Sequence, residues 1–247
     1  MTATPPAESE TRGSEAYEAL KQALISGHFM PGQKLTLRML AGALGMSVTP
    51  VREAIHRLTA ERALEGAANR SVRIPPMTRS KILELRDIRL TVEGLAAARA
   101  AEHATPQDIA QLRQLALELA AARQRGDIGA DIAKLTAFQF ALYRAAHMPL
   151  LLPVIESLWL QTGSCLRLLY PDYIRSLKHD WRGQIIRALQ AGDGDAARRA
   201  IESDIDPALA YIADLAGEDG IIRPESAGRS GLGKARVAEA AGSPEPA

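Results

Sequence analysis

Residues Thr36 to Ala60, TLRMLAGALGMSVTPVREAIHRLTA, constrain the fold more than any other stretch of the chain. With Leu35 before them, they read as two short helices joined by a tight turn. The first spans about Leu37 to Leu44 and carries Leu37, Leu40, Ala41 and Leu44 on one face. Gly45 stands where a helix stop wants a residue that tolerates positive φ. Ser47 and Thr49 offer N-caps, and Pro50 is expected at the first helical position, where its missing N–H is harmless. The second helix turns Val51, Ala54, Ile55 and Leu58 inward and leaves Thr49, Arg52, Glu53, His56 and Arg57 elsewhere. The pattern is a helix-turn-helix, and its second helix has the shape to enter a DNA major groove.

Charge supports that reading locally rather than globally. The net charge of the 247 residues is +1, which excludes a uniformly basic nucleic-acid coat. Between Ala19 and Pro76, however, eight lysines and arginines stand against three glutamates, a local charge of +5. Phosphate binding needs such a patch. The single cysteine, Cys165, allows no intramolecular disulfide, which fits a reducing compartment. It reads as a buried small hydrophobe, with a reactive thiol as the alternative. The polar, acidic N-terminus has no signal-peptide core, and no apolar run approaches a membrane span. A soluble, cytoplasmic protein is expected.

Along the chain, residues 1–13 lack periodicity and read as a disordered leader. A helix is expected from about Ser14 to Ser26, stopped by Gly27, followed by a turn at 28–32. After the helix-turn-helix, Leu64 to Ile74 reads as two short strands around Ala67–Asn69, a small β-wing. Pro75 and Pro76 form a stiff linker, so a DNA-binding domain is expected over 14–76. From Thr78 every long segment has helical periodicity. The stripe Ile82, Leu85, Ile88, Val92, Leu95 and Ala96 opens an all-α domain of about six helices over 77–216. Its later helices are expected near Thr105–Gly126, 128–147, 150–170, 173–190 and 195–216, the last bent at Pro207 unless its neighbours compensate. Residues 217–247 read as a disordered tail. The expected class is mainly α: a winged helix-turn-helix followed by a helical bundle.

Several runs resemble one known family. Pro31-Gly32, Arg38-Met-Leu-Ala41, Leu44-Gly45, the Ser47-x-Thr-Pro-Val-Arg-Glu-Ala54 run and Leu58 resemble the GntR superfamily of bacterial transcription regulators. Glu84-Leu-Arg86, Glu93-Gly94, Phe138 with Leu142, Ala188, Gly192-Asp193 and Ala196-Ala197 resemble its FadR-type branch, which carries an FCD sensing domain. The resemblance covers about residues 14–215. It implies DNA-reading roles for Arg38, Ser47, Thr49 and Arg52, with Arg52 a bidentate donor suited to guanine. Arg57, and Asn69 and Arg70 in the wing, are further candidates. Arg52 has an alternative, pairing with Glu53 or Glu61. Val48 stands where many members place an arginine, and Ser71 stands where a glycine is common.

Many members of this branch hold a divalent metal with one aspartate and three histidines. The matching positions here read Leu135, Gln139, Arg182 and Asp204, and none is the expected ligand. Leu135 cannot coordinate, and Arg182 is a permanent cation. No metal or other cofactor is therefore expected, although His179 with Asp204 or Asp180 offers one route to a rebuilt site. Arg182 is suited to hold an effector's carboxylate directly. Gln139 and Asp204 stand as polar partners, and Arg86 resembles the family arginine that faces the same cavity. Tyr143, Trp159 and Arg167 are wall candidates, with core or surface positions as the alternative. The bland reading of Arg182 and Asp204 is a buried ion pair in a dead site.

The expectation is an effector-responsive regulator, a repressor acting as a homodimer on double-stranded palindromic DNA, because one recognition helix reads only a few base pairs. A small organic acid is its expected effector. No nucleophile–base order, phosphate loop or metal pair suggests an enzyme. The remaining alternative is a DNA-binding protein without a ligand.

Overall fold

The computed structural model describes residues 6–66 and 71–223, with side chains from residue 11 onward. Helix α1 (Pro6–Ile25) packs on α3 (Val48–Ala60), and α2 (Leu37–Leu44) completes the helix-turn-helix. The Thr36 hydroxyl accepts from the Met39 N–H at 3.2 Å and so caps α2. Gly45, at φ 63°, ends it in the left-handed region. Ser47 is the N-cap of α3 by backbone position, but its side chain makes no capping bond. Pro50 therefore sits third in the helix, not first. It costs nothing there, because the third N–H is still one of the four that have no intrahelical acceptor. Leu40, Val51, Ala54, Ile55 and Leu58 are fully buried, each Leu or Ile adding roughly 1.5–3 kcal/mol.

The wing differs from a simple hairpin. Strand β2 (Ser71–Arg73) pairs antiparallel with β1 (Lys34–Thr36), in the register Leu35 opposite Val72. Glu65 and Arg73 add one isolated bridge, and the Arg73 guanidinium binds the Glu65 carboxylate at 3.0 Å. The expected turn at Ala67–Asn69 lies outside the described residues.

The second domain is built from α4 (Arg79–His103), α5 (Pro106–Gln124), α6 (Ile128–Ala145), α7 (Leu151–Thr162), α8 (Asp172–Ser176), α9 (Trp181–Ala191) and α10 (Gly194–Asp214). Helix α10 packs along α4 and α5 along α6. Thr105 and Asp108 form a reciprocal capping box that starts α5. Among the described residues no helix is long and apolar enough to cross a membrane.

Four sequence expectations are corrected. Helix α1 begins at Pro6, so part of the expected leader is helical. The expected helix at 150–170 stops at Thr162 and continues as a 3-10 segment, Gly163–Leu169. The expected helix at 173–190 splits into α8 and α9, the latter restarted by the Asp180 side chain accepting from the Gly183 N–H at 2.9 Å. The tail does not start at 217: β4 (Ile221–Ile222) pairs antiparallel with β3 (Met77–Thr78), directly after the proline linker. Gly220, at φ 72°, and the Gly217 N–H to Ile221 carbonyl bond reverse the chain to make this pairing. Helix α10 is continuous through Pro207.

The two domains meet at the C-terminal end of α1. A Cβ on Gly163 would lie 2.2 Å from the Leu24 carbonyl oxygen and 2.9 Å from the Ile25 backbone. Only glycine permits this approach. Arg167 Nε donates to the Gly27 carbonyl at 2.9 Å, and Lys21 pairs with Glu156 of α7 at 2.6 Å. The winged helix is thereby joined to the 3-10 segment.

Candidate nucleic-acid interface and sensing cavity

Arg38 on α2 and Ser47, Thr49 and Arg52 at the start of α3 are all exposed. Neither Arg38 nor Arg52 has an ion-pair partner among the described residues. The alternative pairing of Arg52 with Glu61 is not realised, because Glu61 accepts from the Tyr17 hydroxyl at 2.8 Å. Val48 packs partly into the core and offers no donor. Arg57 is exposed but differs from the others: its guanidinium lies 3.7 Å from the centre of the Tyr17 ring. A cation over an aromatic face is held there electrostatically. Asn69 and Arg70 lie outside the described residues.

The four positions matching the family's metal ligands converge on one cavity. Leu135 and Gln139 reach it from α6, Arg182 from α9 and Asp204 from α10. Gln139 Nε2 donates to Asp204 at 3.0 Å, and Arg182 reaches the other Asp204 oxygen at 3.4 Å. As a donor set, one carboxylate, one amide, one permanent cation and one alkyl chain do not fit a divalent metal. No group of three or more His, Cys, Asp or Glu among the described residues is placed to hold one. His179 instead stacks on Trp181.

Arg86 is not in this cavity. It is partly exposed and pairs with Asp87 at 3.0 Å and Asp206 at 3.5 Å. Arg89, one helical turn further, lines the cavity and is 3% exposed. Arg89 Nε and Nη2 both donate to Glu93, which is fully buried, and Nη1 donates to the Thr162 hydroxyl at 3.1 Å. Burial alone lowers the Arg89 pKa, but Glu93 outweighs it and the net shift is upward. The Tyr143 hydroxyl donates to Glu93 and also lies 3.0 Å from Gln139 Oε1. One phenolic proton serves two acceptors there, and the charged Glu93 has the stronger claim. Burial first, and then Glu93, holds the Tyr143 pKa well above its ordinary value. A polar chain therefore runs from Arg182 through Asp204, Gln139, Tyr143, Glu93 and Arg89 to Thr162. Thr162 is the neighbour of Gly163 at the domain seam.

Trp159, expected on the cavity wall, does line it, but sequence reasoning gave the cavity arginine as Arg86 and assigned no role of their own to Arg89 and Glu93, which share its helix face. The signal was available: Arg89 and Glu93 lie seven and eleven residues after Ile82, on the apolar face of α4. The expected stripe placed Ile88 inward, whereas Ile88 is 39% exposed. Trp159 lines the cavity and stacks under Arg89, 4.5 Å from ring centre to guanidinium. Arg167 and Tyr143 are not lining residues.

A winged helix with unpaired surface arginines, joined to a helical domain that closes around a charged cavity, defines a two-domain DNA-binding transcription regulator. Residues 12–74 match the family described as "Bacterial regulatory proteins, gntR family", and residues 84–206 match the FCD domain. The "HTH-type transcriptional regulator McbR" of Escherichia coli is 34% identical over 197 residues, covering 78% of this chain and 89% of that protein. Its solved structure, "E. coli McbR/YncC", superposes with a TM-score of 0.72 at 32% identity, covering 81% of this chain and 96% of that one. A relative from Paenarthrobacter nicotinovorans, named "Probable D-xylose utilization operon transcriptional repressor", is 26% identical over 212 residues, 85% of this chain and 91% of that protein. The chain belongs to the GntR family of transcription regulators and carries an FCD domain. It is a regulator and not an enzyme.

Proposed function

We propose that the protein is a repressor that binds a palindromic operator as a homodimer and leaves it when a small organic acid occupies the FCD cavity without a metal. The observation that carries this reading is the convergence of Arg182, Gln139 and Asp204 on one cavity. An arginine replaces a metal ion as the carboxylate anchor in that arrangement. The repressor sense follows the name of the Paenarthrobacter relative. The dimer is supported by large apolar side chains left in solvent on α4 and at the start of α7, Ile88 at 39%, Leu150 at 89% and Val154 at 48% exposure. Ile88 borders a cleft with Leu85 and Leu158.

A second reading rests on the 3.4 Å contact between Arg182 and Asp204. There the pair only fills a dead site and the protein regulates without a ligand. Selecting genomic DNA on the purified protein identifies the operator. Calorimetry of chelator-treated protein against a carboxylate panel, beside Arg182→Ala, separates the readings. Binding that survives chelation and disappears in the variant supports the anchor; binding restored only by metal refutes it.

A further inference from the structure

We infer that the FCD cavity selects a short-chain monocarboxylate of about acetate-to-propionate size, with Trp159 as the second anchor beside Arg182. This rests on the carboxylate reading above and narrows it. Two of the residues that line the cavity each carry a buried N–H without a hydrogen-bond partner, Arg182 Nε and Trp159 Nε1. The residues are 8% and 2% exposed, so bulk water does not satisfy these donors. A buried donor without an acceptor carries its full desolvation cost, and an acceptor atom removes it. A carboxylate supplies two acceptor oxygens on one carbon, one for each donor.

Charge and volume set the rest of the ligand. Arg89 is already neutralised by Glu93 through two contacts, so it is no anchor for a second carboxylate. Asp204 already binds Gln139 and Arg182 Nη2, so Arg182 offers a ligand its buried Nε, and the wall has no further cation among the described residues for a second carboxylate. The remaining wall is apolar, with Leu135, Leu166, Ile205 and Leu209 among the lining residues. A second carboxylate among these side chains would be buried without a partner. The cavity measures about 50 Å³. An apolar cavity of about 150 Å³ holds the six carbons of benzene, so this one suits a ligand of fewer heavy atoms. Dicarboxylates and citrate fail on both size and charge, and sugar acids fail on size.

The full chain, treated with a chelator, is titrated with acetate, propionate, butyrate, succinate and citrate, with calorimetry and thermal shift as readouts. Acetate or propionate binds best, butyrate more weakly, and succinate and citrate leave the melting temperature unmoved. Trp159→Phe keeps the ring under Arg89 but removes the donor, and weakens propionate about tenfold. Arg182→Lys keeps the charge without the Nε donor and weakens it similarly. Each variant's ligand-free melting temperature reports its fold. If Trp159→Phe is unstable, Leu135→Phe fills the cavity and abolishes binding in its place. Succinate or citrate binding better than propionate, or full propionate affinity in Trp159→Phe, overturns this inference while the carboxylate reading stands. Silence from every acid overturns the carboxylate reading itself.

Discussion

Gly163→Ala tests whether the two domains are joined where the backbones come closest. The added methyl would sit 2.2 Å from the Leu24 carbonyl oxygen and 2.9 Å from the Ile25 Cα and carbonyl oxygen. An ordinary contact is about 3.4 Å or more, so α1 must retreat by about 1.2 Å or the 3-10 segment must distort. All three obstructing atoms are backbone, and none rotates away. The retreat also stretches the 2.9 Å bond from Arg167 to the Gly27 carbonyl beyond hydrogen-bond range. Overpacking of this kind costs about 1–3 kcal/mol, and the lost charge-assisted bond adds up to about 1.5 kcal/mol after re-solvation. Gly163 has helical angles, φ −53° and ψ −39°, so alanine returns about 0.4–1 kcal/mol by restricting the unfolded chain. The net expectation is a loss of about 0–4 kcal/mol, centred near 2, read by urea denaturation. Amide exchange should accelerate at residues 24–28. Gly129→Ala is the control, because its Cβ meets only Asp127 Oδ1 at 3.5 Å, and it should be neutral or stabilising. Equal stability of the two variants, with unchanged exchange at 24–28, would refute the seam argument.

Arg52→Ala should weaken binding to the selected operator by about 1–3 kcal/mol and relax the preference at one position per half-site; equal losses on operator and random DNA, measured by anisotropy, would show a phosphate contact only. Arg89→Met should cost about 3–5 kcal/mol by stranding buried Glu93, whereas Arg89→Met with Glu93→Leu should cost much less; a double variant as unstable as the single would refute the ion-pair account. Stability should fall as pH rises from about 9 to 12, because burial pushes the Cys165 thiol and, with Glu61, the Tyr17 hydroxyl up to about 12. The unfolded chain releases these protons first and binds fewer of them across that window, so unfolding is favoured. Cys165→Ala should remove the part of the decline that begins near pH 9, as measured by denaturation at fixed pH steps.

The helix-turn-helix was legible because its signals are local. Gly45, Pro50 and the spacing of Leu40, Val51, Ile55 and Leu58 act within a few residues of each other. Arg89 was not legible, because its burial depends on Thr162 of α7 and Trp159, seventy or more residues away. Periodicity favoured apolar Ile88, which lies only about 100° around the helix from Arg89. The breaks after Thr162 and before Trp181 were hidden by continuous helical composition. The α1 extension was hidden by a Pro- and Glu-rich stretch that composition alone assigns to a leader. The cavity's four polar and apolar positions were found by family resemblance, but the orphaned donors of Arg182 and Trp159 are visible only in three dimensions.

Pairing between β3 and β4 has a consequence for the geometry of DNA reading. Pro75 and Pro76 are followed at once by a strand clasped by Ile221–Ile222, while α1 is pinned at Gly27. Each reading head is held at two places and has little room to swivel. In the proposed dimer the two heads then act as a fixed caliper. One inserted base pair between half-sites moves the far site by about 3.4 Å and rotates it by about 35°. A slack linker would absorb that phase error. This clasped one transmits it, so the spacer length of the operator becomes as much a part of its specificity as the bases that Arg52 touches.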